Sequence, residues 1–170
     1  MQEGIEVILD IWNNEATSSD SYGRITIELD GTSGTSPFLI TVQSGTVSAS
    51  VFLESIGQDI TTATLQDWGH YAFRFYNTGS TFVAKLHVNG QLNDTNRYAS
   101  SAISEITMPA MIARLGSLVT APSGSSAVAG DGTLSASIDE FRFWKVNRNS
   151  RQIGLRYFTN VGGGANTDIS

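Results

Sequence analysis

The sequence predicts an all-β sandwich, and three observations carry that prediction. Apolar and polar residues alternate with a period of two in run after run, as they do on strands with one face buried. Ser, Thr, Gly and Asn are abundant between the runs, whereas Lys occurs only at Lys85 and Lys145, a composition suited to short strands joined by polar turns. Asn89-Gly90 stands between two such runs, and both residue types tolerate the positive φ of a tight hairpin turn.

The elements follow in order. Ile5, Val7, Leu9 and Ile11 alternate against Glu6, Ile8, Asp10 and Trp12, which predicts a first strand. A second runs from Tyr22 to Leu29 and ends at Asp30-Gly31-Thr32, a turn sequence. Phe38 to Val42 and Val47 to Leu53 read as a hairpin around Gln43-Ser44-Gly45. After a polar stretch from Glu54 to Asp67, Trp68-Gly69-His70 leads into a strand from Tyr71 to Tyr76. A turn at Asn77-Thr78-Gly79, a strand from Phe82 to Val88 and a returning strand from Gln91 to Thr95 follow. Ile112 to Leu118 is a further strand, Ala121 to Gly132 a long surface loop, and Leu134 to Val146 a long closing strand. One segment reads as helical: Arg151 to Phe158, with Ser150 as N-cap and Gly162-Gly163-Gly164 beyond its end. Residues 1–160 form one domain in this reading, and 161–170 a Gly-rich linker or tail.

Charge and composition narrow the function classes. The formal charge is −6, and the basic residues are dispersed along the chain, so nucleic acid and anionic lipid are poor partners. The absence of cysteine excludes disulfides, Cys-ligated zinc and thiol catalysis. No stretch has the length of a membrane span, which predicts no membrane insertion. Met1-Gln2-Glu3-Gly4 lacks the basic start and apolar run of a signal peptide. Met1 stands directly before the first strand, as in a module of a longer protein.

Three stretches, in order, resemble the laminin-G-like family of concanavalin A-type lectins and glucanases. They are Trp68-Gly69-His70-Tyr71-Ala72-Phe73, then Leu86-His87-Val88-Asn89-Gly90-Gln91-Leu92, then Ile138-Asp139-Glu140-Phe141-Arg142-Phe143-Trp144 followed by the short helix. The resemblance implies an antiparallel two-sheet jelly-roll sandwich with one short C-terminal helix. It also implies an additional edge strand with a Phe-Asp-Gly-like turn ahead of Ile5, which this sequence does not show. The Gly-rich tail resembles those of multi-module surface and virion proteins, which implies an extracellular, cell-surface or virion setting and attachment to further domains.

The resemblance raises glycosidase activity, because glucanases of this architecture carry a Glu-x-Asp-x-x-Glu strand whose two glutamates work as a pair. No such spacing exists here. Asp139 and Glu140 are adjacent, so on a strand they point to opposite faces. The sequence therefore predicts a non-enzymatic protein. His70 and His87 are the only histidines and read as structural or exposed residues, His70 beside Trp68. In the family the residue matching Asp139 often binds calcium with backbone carbonyls, and Ca²⁺ accepts such hard oxygen ligands. Asp139 is thus the metal candidate and calcium the candidate cofactor, against the plainer role of a backbone hydrogen bond or a pair with Arg142. Asp30, Asp94 and Asp131 form no recognisable cluster and read as turn residues.

Aromatic rings serve as sugar platforms, and Trp12, Tyr22, Tyr76, Tyr98 and Trp144 are the candidates by count. Trp12 alternates out of phase with Ile5 to Ile11, and Tyr98 sits in a polar stretch beside Arg97. Trp12, Arg97 and Tyr98 are therefore the candidate ligand-binding residues. The resulting expectation is a non-catalytic recognition module for a glycan or a protein surface, with a purely structural spacer or decoration domain as the alternative.

Overall fold

The computed structural model describes residues 5–16, 18–45, 52–99, 103–105, 111–119 and 134–159. Eight strands and one helix lie in this order: β1 (Ile5–Trp12), β2 (Gly23–Asp30), β3 (Phe38–Ser44), β4 (Phe52–Ile56), β5 (Tyr71–Thr78), β6 (Thr81–Val88), β7 (Gln91–Tyr98), β8 (Ile112–Leu115) and α1 (Ser150–Arg156). They form two antiparallel sheets. One has the strand order β4-β3-β2-β1-β8, the other β5-β6-β7.

The core lies between the sheets, as the alternation requires. Leu9, Ile11, Ile25, Ile27, Ile40 and Val42 of the larger sheet join Phe82, Ala84 and Leu86 of the smaller in one buried cluster. Aromatic rings bridge them: Phe38 meets Phe73 edge-on, and Phe52 meets Phe82, each with centroids 5.3 Å apart. Such tilted contacts add to the area that the rings bury.

The Asn89-Gly90 turn forms as its sequence predicts, with φ of 49° and 80°. It also joins two of the quoted stretches, because Tyr71 pairs with Val88 in the β5–β6 ladder. The Asn89 side chain accepts from the His70 backbone N–H at 3.0 Å, and the Asn89 N–H donates to the His70 carbonyl at 2.8 Å.

Other elements differ from expectation. The β5–β6 turn falls at Gly79-Ser80 rather than Asn77-Thr78-Gly79, because Gly79 takes the positive φ of 58°. β7 continues to Tyr98, and β8 ends at Leu115 before Gly116, at φ 71°. The N-cap of α1 is Asn149, one residue before Ser150: its side chain accepts from Gln152 N at 2.9 Å, and Gln152 returns the bond to the Asn149 N–H, a reciprocal capping box.

The largest correction concerns 134–146, where the expected closing strand is not formed. Glu140 takes φ 54°, a left-handed conformation that ends an extended run. Ser135 N–H donates to the Glu6 carboxylate at 2.8 Å instead of to a neighbouring strand. The first half of the expected Val47 to Leu53 strand, the Ala121 to Gly132 loop, Asp131 and the Gly-rich tail lie outside the described residues. No described helix is long and apolar enough to cross a membrane.

Candidate functional site

The two sheets treat their outward faces differently. A bulge between Val7 and Leu9 pairs Val7 with Glu28, and the register sets Asp10 opposite Thr26, so Asp10, Arg24, Thr26 and Glu28 share the face turned away from the core, where solvent is expected, yet all four are buried. Arg24 donates Nε to Asp10 Oδ1 at 2.8 Å and Nη2 to Asp10 Oδ2 at 2.7 Å. Asp10 also accepts from Thr26 Oγ1 at 3.3 Å and from the Val119 N–H at 2.7 Å. Burial opposes the Arg24 charge, but the bonds and field of Asp10 outweigh it and raise the guanidinium pKa. Charge on this face is neutralised and closed off.

The smaller sheet is different. Tyr71, Phe73 and Phe75 pack on the core, so Ala72, Arg74 and Tyr76 point outward. The register places Arg74 opposite Lys85, Lys85 opposite Thr95, Tyr76 opposite Val83 and Val83 opposite Arg97. Arg74, Tyr76, Lys85 and Arg97 thus share one face. The Tyr76 ring holds two cations, Arg74 at 5.2 Å and Lys85 at 6.0 Å from its centroid, a geometry in which the ring quadrupole attracts both.

The segment 141–159 is laid along the same face. Asn147 Oδ1 accepts from Arg74 Nη2 at 2.7 Å and from Nε at 3.1 Å. Ser150 Oγ lies 3.0 Å from His87 Nε2. Helix α1 closes against the hairpin turn, where a Cβ on Gly90 would stand 2.4 Å from Tyr157 and 3.0 Å from Gly154 Cα. Arg142 fixes the end of the helix by donating to the carbonyls of Arg156 and Thr159. The segment contains Arg142, Lys145, Arg148, Arg151 and Arg156 and no Asp or Glu. With Arg74, Lys85 and Arg97, eight of the ten basic residues of the chain belong to this face or to the segment lying on it. Basic residues dispersed along the sequence thus share this sheet face and the segment that lies on it.

Both histidines belong to this region. Burial first, then the field of Arg142, lowers the His70 pKa; burial and then Arg74 lower that of His87. His87 is fully buried under the segment, and the His70 ring lies 5.7 Å from that of Tyr157.

The predicted site residues are not brought together. Trp12 lies at the end of β1 on the other sheet, with its indole N–H bonded to the Glu15 carbonyl at 3.0 Å. Tyr98 turns inward and packs on the core. Its neighbour Arg97 turns outward and is exposed. Only Arg97 shares the cationic face. Arg74, Tyr76 and Lys85 complete that face; the sequence signal for them was the alternation within β5 and β6, which fixes their side but not their neighbours.

Asp139 is exposed and accepts from the Glu140 N–H at 2.8 Å. Arg142 pairs with Glu140, at 3.2 Å, and not with Asp139. Among the described residues no three His, Asp or Glu side chains stand together as metal ligands. A calcium ion takes about six to eight oxygens, and the described side chains at Asp139 do not by themselves make such a cage.

Comparison of this chain with family models, with curated proteins and with solved structures finds no match.

Proposed function

We propose that this chain is a non-catalytic recognition module that binds glycan, using the outward face of the β5-β6-β7 sheet. The observation that carries the reading is the row Arg74, Tyr76, Lys85 and Arg97, an exposed or half-exposed set of donors on a rigid sheet. Ligand sites of this kind need positioned polar groups on rigid elements. The non-catalytic part is supported by how four of the carboxylates are engaged. Asp10 is held by Arg24, Glu6 by Ser135 N–H, Asp94 by Gly57 N–H and Glu105 by Ser44. A paired acid and base for glycoside hydrolysis would need two carboxyl groups facing across a cleft.

The likeness of three stretches to the laminin-G-like, concanavalin A-type jelly roll supports the same reading, and with it we propose a setting on a larger extracellular or virion protein. Calcium at Asp139 belongs to that likeness, completed by backbone carbonyls. It is tested by melting the protein with and without EGTA, where a bound structural ion lowers the Tm on chelation.

A second reading has its own observation. Phe141, Phe143 and Val146 are 47%, 51% and 64% exposed on the segment over the sheet. An apolar row of this kind marks contact with a protein surface, which fits a spacer or decoration domain docked on its parent assembly. A glycan array covering neutral and acidic sugars separates the two. Retention of any glycan, abolished by changes on the Arg74–Arg97 face, supports recognition, and an array empty at high protein concentration removes it.

A further inference from the structure

Resting on the glycan-binding reading above, we infer that the ligand is an acidic polysaccharide, with its carboxylate or sulfate groups seated on Arg74, Lys85 and Arg97. Arg74 and Lys85 are directly opposed across the β5–β6 ladder, and like charges so placed destabilise a sheet. Among the described residues no acid relieves this pair. Arg74 bonds the neutral Asn147 and lies over Tyr76, and Lys85 lies over the same ring. Among the described residues no carboxylate stands within ion-pair distance of Arg74, Lys85 or Arg97. By contrast, the buried Arg24 is matched by Asp10 at 2.7 Å. A cross-strand cation pair kept without its counter-charge is a place for an anion brought from outside.

The geometry also speaks to the kind of anion. Neighbouring strands are about 5 Å apart and alternate residues on a strand about 7 Å, so the three cations form a row that matches anionic groups repeated along a chain. The segment 141–159 continues the positive field beyond the row, with Arg148 and Arg151 flanking the Ser150 contact to His87. Nucleic acid fits less well. The Tyr76 ring already carries two cations, with which a base would compete for that ring, and stacking is a main source of affinity for single strands.

The test uses one polymer backbone in three forms: dextran, carboxymethyl-dextran and dextran sulfate, with a single-stranded DNA of matched charge beside them. Binding to the full chain is measured by calorimetry over a salt series. The two acidic dextrans are expected to bind with affinity that falls as salt rises, and plain dextran is not. The double variant Lys85→Gln/Arg97→Gln should bind the acidic dextrans about tenfold more weakly, while Arg114→Gln, on the other sheet, should leave binding unchanged. Near-UV circular dichroism confirms that each variant is folded. DNA binding as tightly as the acidic dextrans, or acidic dextrans binding the double variant as well as the parent, overturns the inference. If the array retains neutral glycans while the acidic dextrans fail here, the inference falls and the glycan reading stands. If the array and the dextrans both fail, both fall.

Discussion

The outward faces of the two sheets make opposite use of charge. On the β1–β2 face, Asp10 and Arg24 are buried, bidentate and supported by Thr26 and Val119. On the β5–β6–β7 face, Arg74, Lys85 and Arg97 are left without an acidic partner among the described residues. Burial explains the first arrangement. A charge removed from water must be paired, because its desolvation cost is several kcal/mol. Exposure permits the second, since an accessible cation is solvated and gains little from a surface ion pair. One face therefore encloses its charge in a matched pair, and the other leaves Arg97 exposed and Arg74 and Lys85 half-exposed beside the 141–159 segment.

That division is broken most forcefully by removing one partner of the buried pair. Asp10→Ala leaves Arg24 buried and uncompensated and should cost about 3–5 kcal/mol, read as a fall in the urea midpoint. Next comes Gly90→Ala, which adds a Cβ where Tyr157 and Gly154 close on the turn, at φ 80°. It should cost about 1–3 kcal/mol, read in the same urea titration. Both of the turn's roles, in the hairpin and under the helix, depend on that glycine.

Acid should have a smaller effect. Both imidazoles have folded pKa values below the ordinary 6.5, so the unfolded chain binds more protons than the folded one as pH falls past that value. Stability contributed by His70 and His87 is then present above pH 6.5 and lost as pH falls below it. Urea midpoints should decline over that window, and less steeply in His87→Gln. The smallest effect is expected on the open face. Lys85→Gln or Arg97→Gln should move stability by less than about 0.5 kcal/mol, in contrast to Asp10→Ala.

Much of the fold was legible because alternation is a local signal. β1, β2, β5 and β6 follow from apolar residues two apart, and the hairpin between β6 and β7 from Asn89-Gly90. The same signal failed at Phe141, Arg142 and Phe143, where alternation implies a strand but the chain is irregular after the positive φ of Glu140. Nor does alternation reveal the bulge between Val7 and Leu9 or the burial of Asp10 and Arg24 on the face away from the core. Asp10 and Glu6 bond the backbone of residues 119 and 135, each more than a hundred positions away. The site was legible only at Arg97. Trp12 and Tyr98 were nominated by residue type, and their surroundings are set by the loop carbonyl of Glu15 and the core. The convergence of Arg74, Lys85 and the 141–159 segment is a product of strand register and helix docking, and neither is written in local spacing.

The contrast between the two faces is tested most directly by chemical-shift mapping of the ¹⁵N-labelled protein during titration with a carboxymethyl-dextran oligomer. The expected result is movement of the Arg74, Tyr76, Lys85 and Arg97 amides, with Asp10, Trp12 and Arg24 unmoved. Shifts concentrated on the β1–β2 face, or none on the β5–β6–β7 face at saturating oligomer, would contradict it.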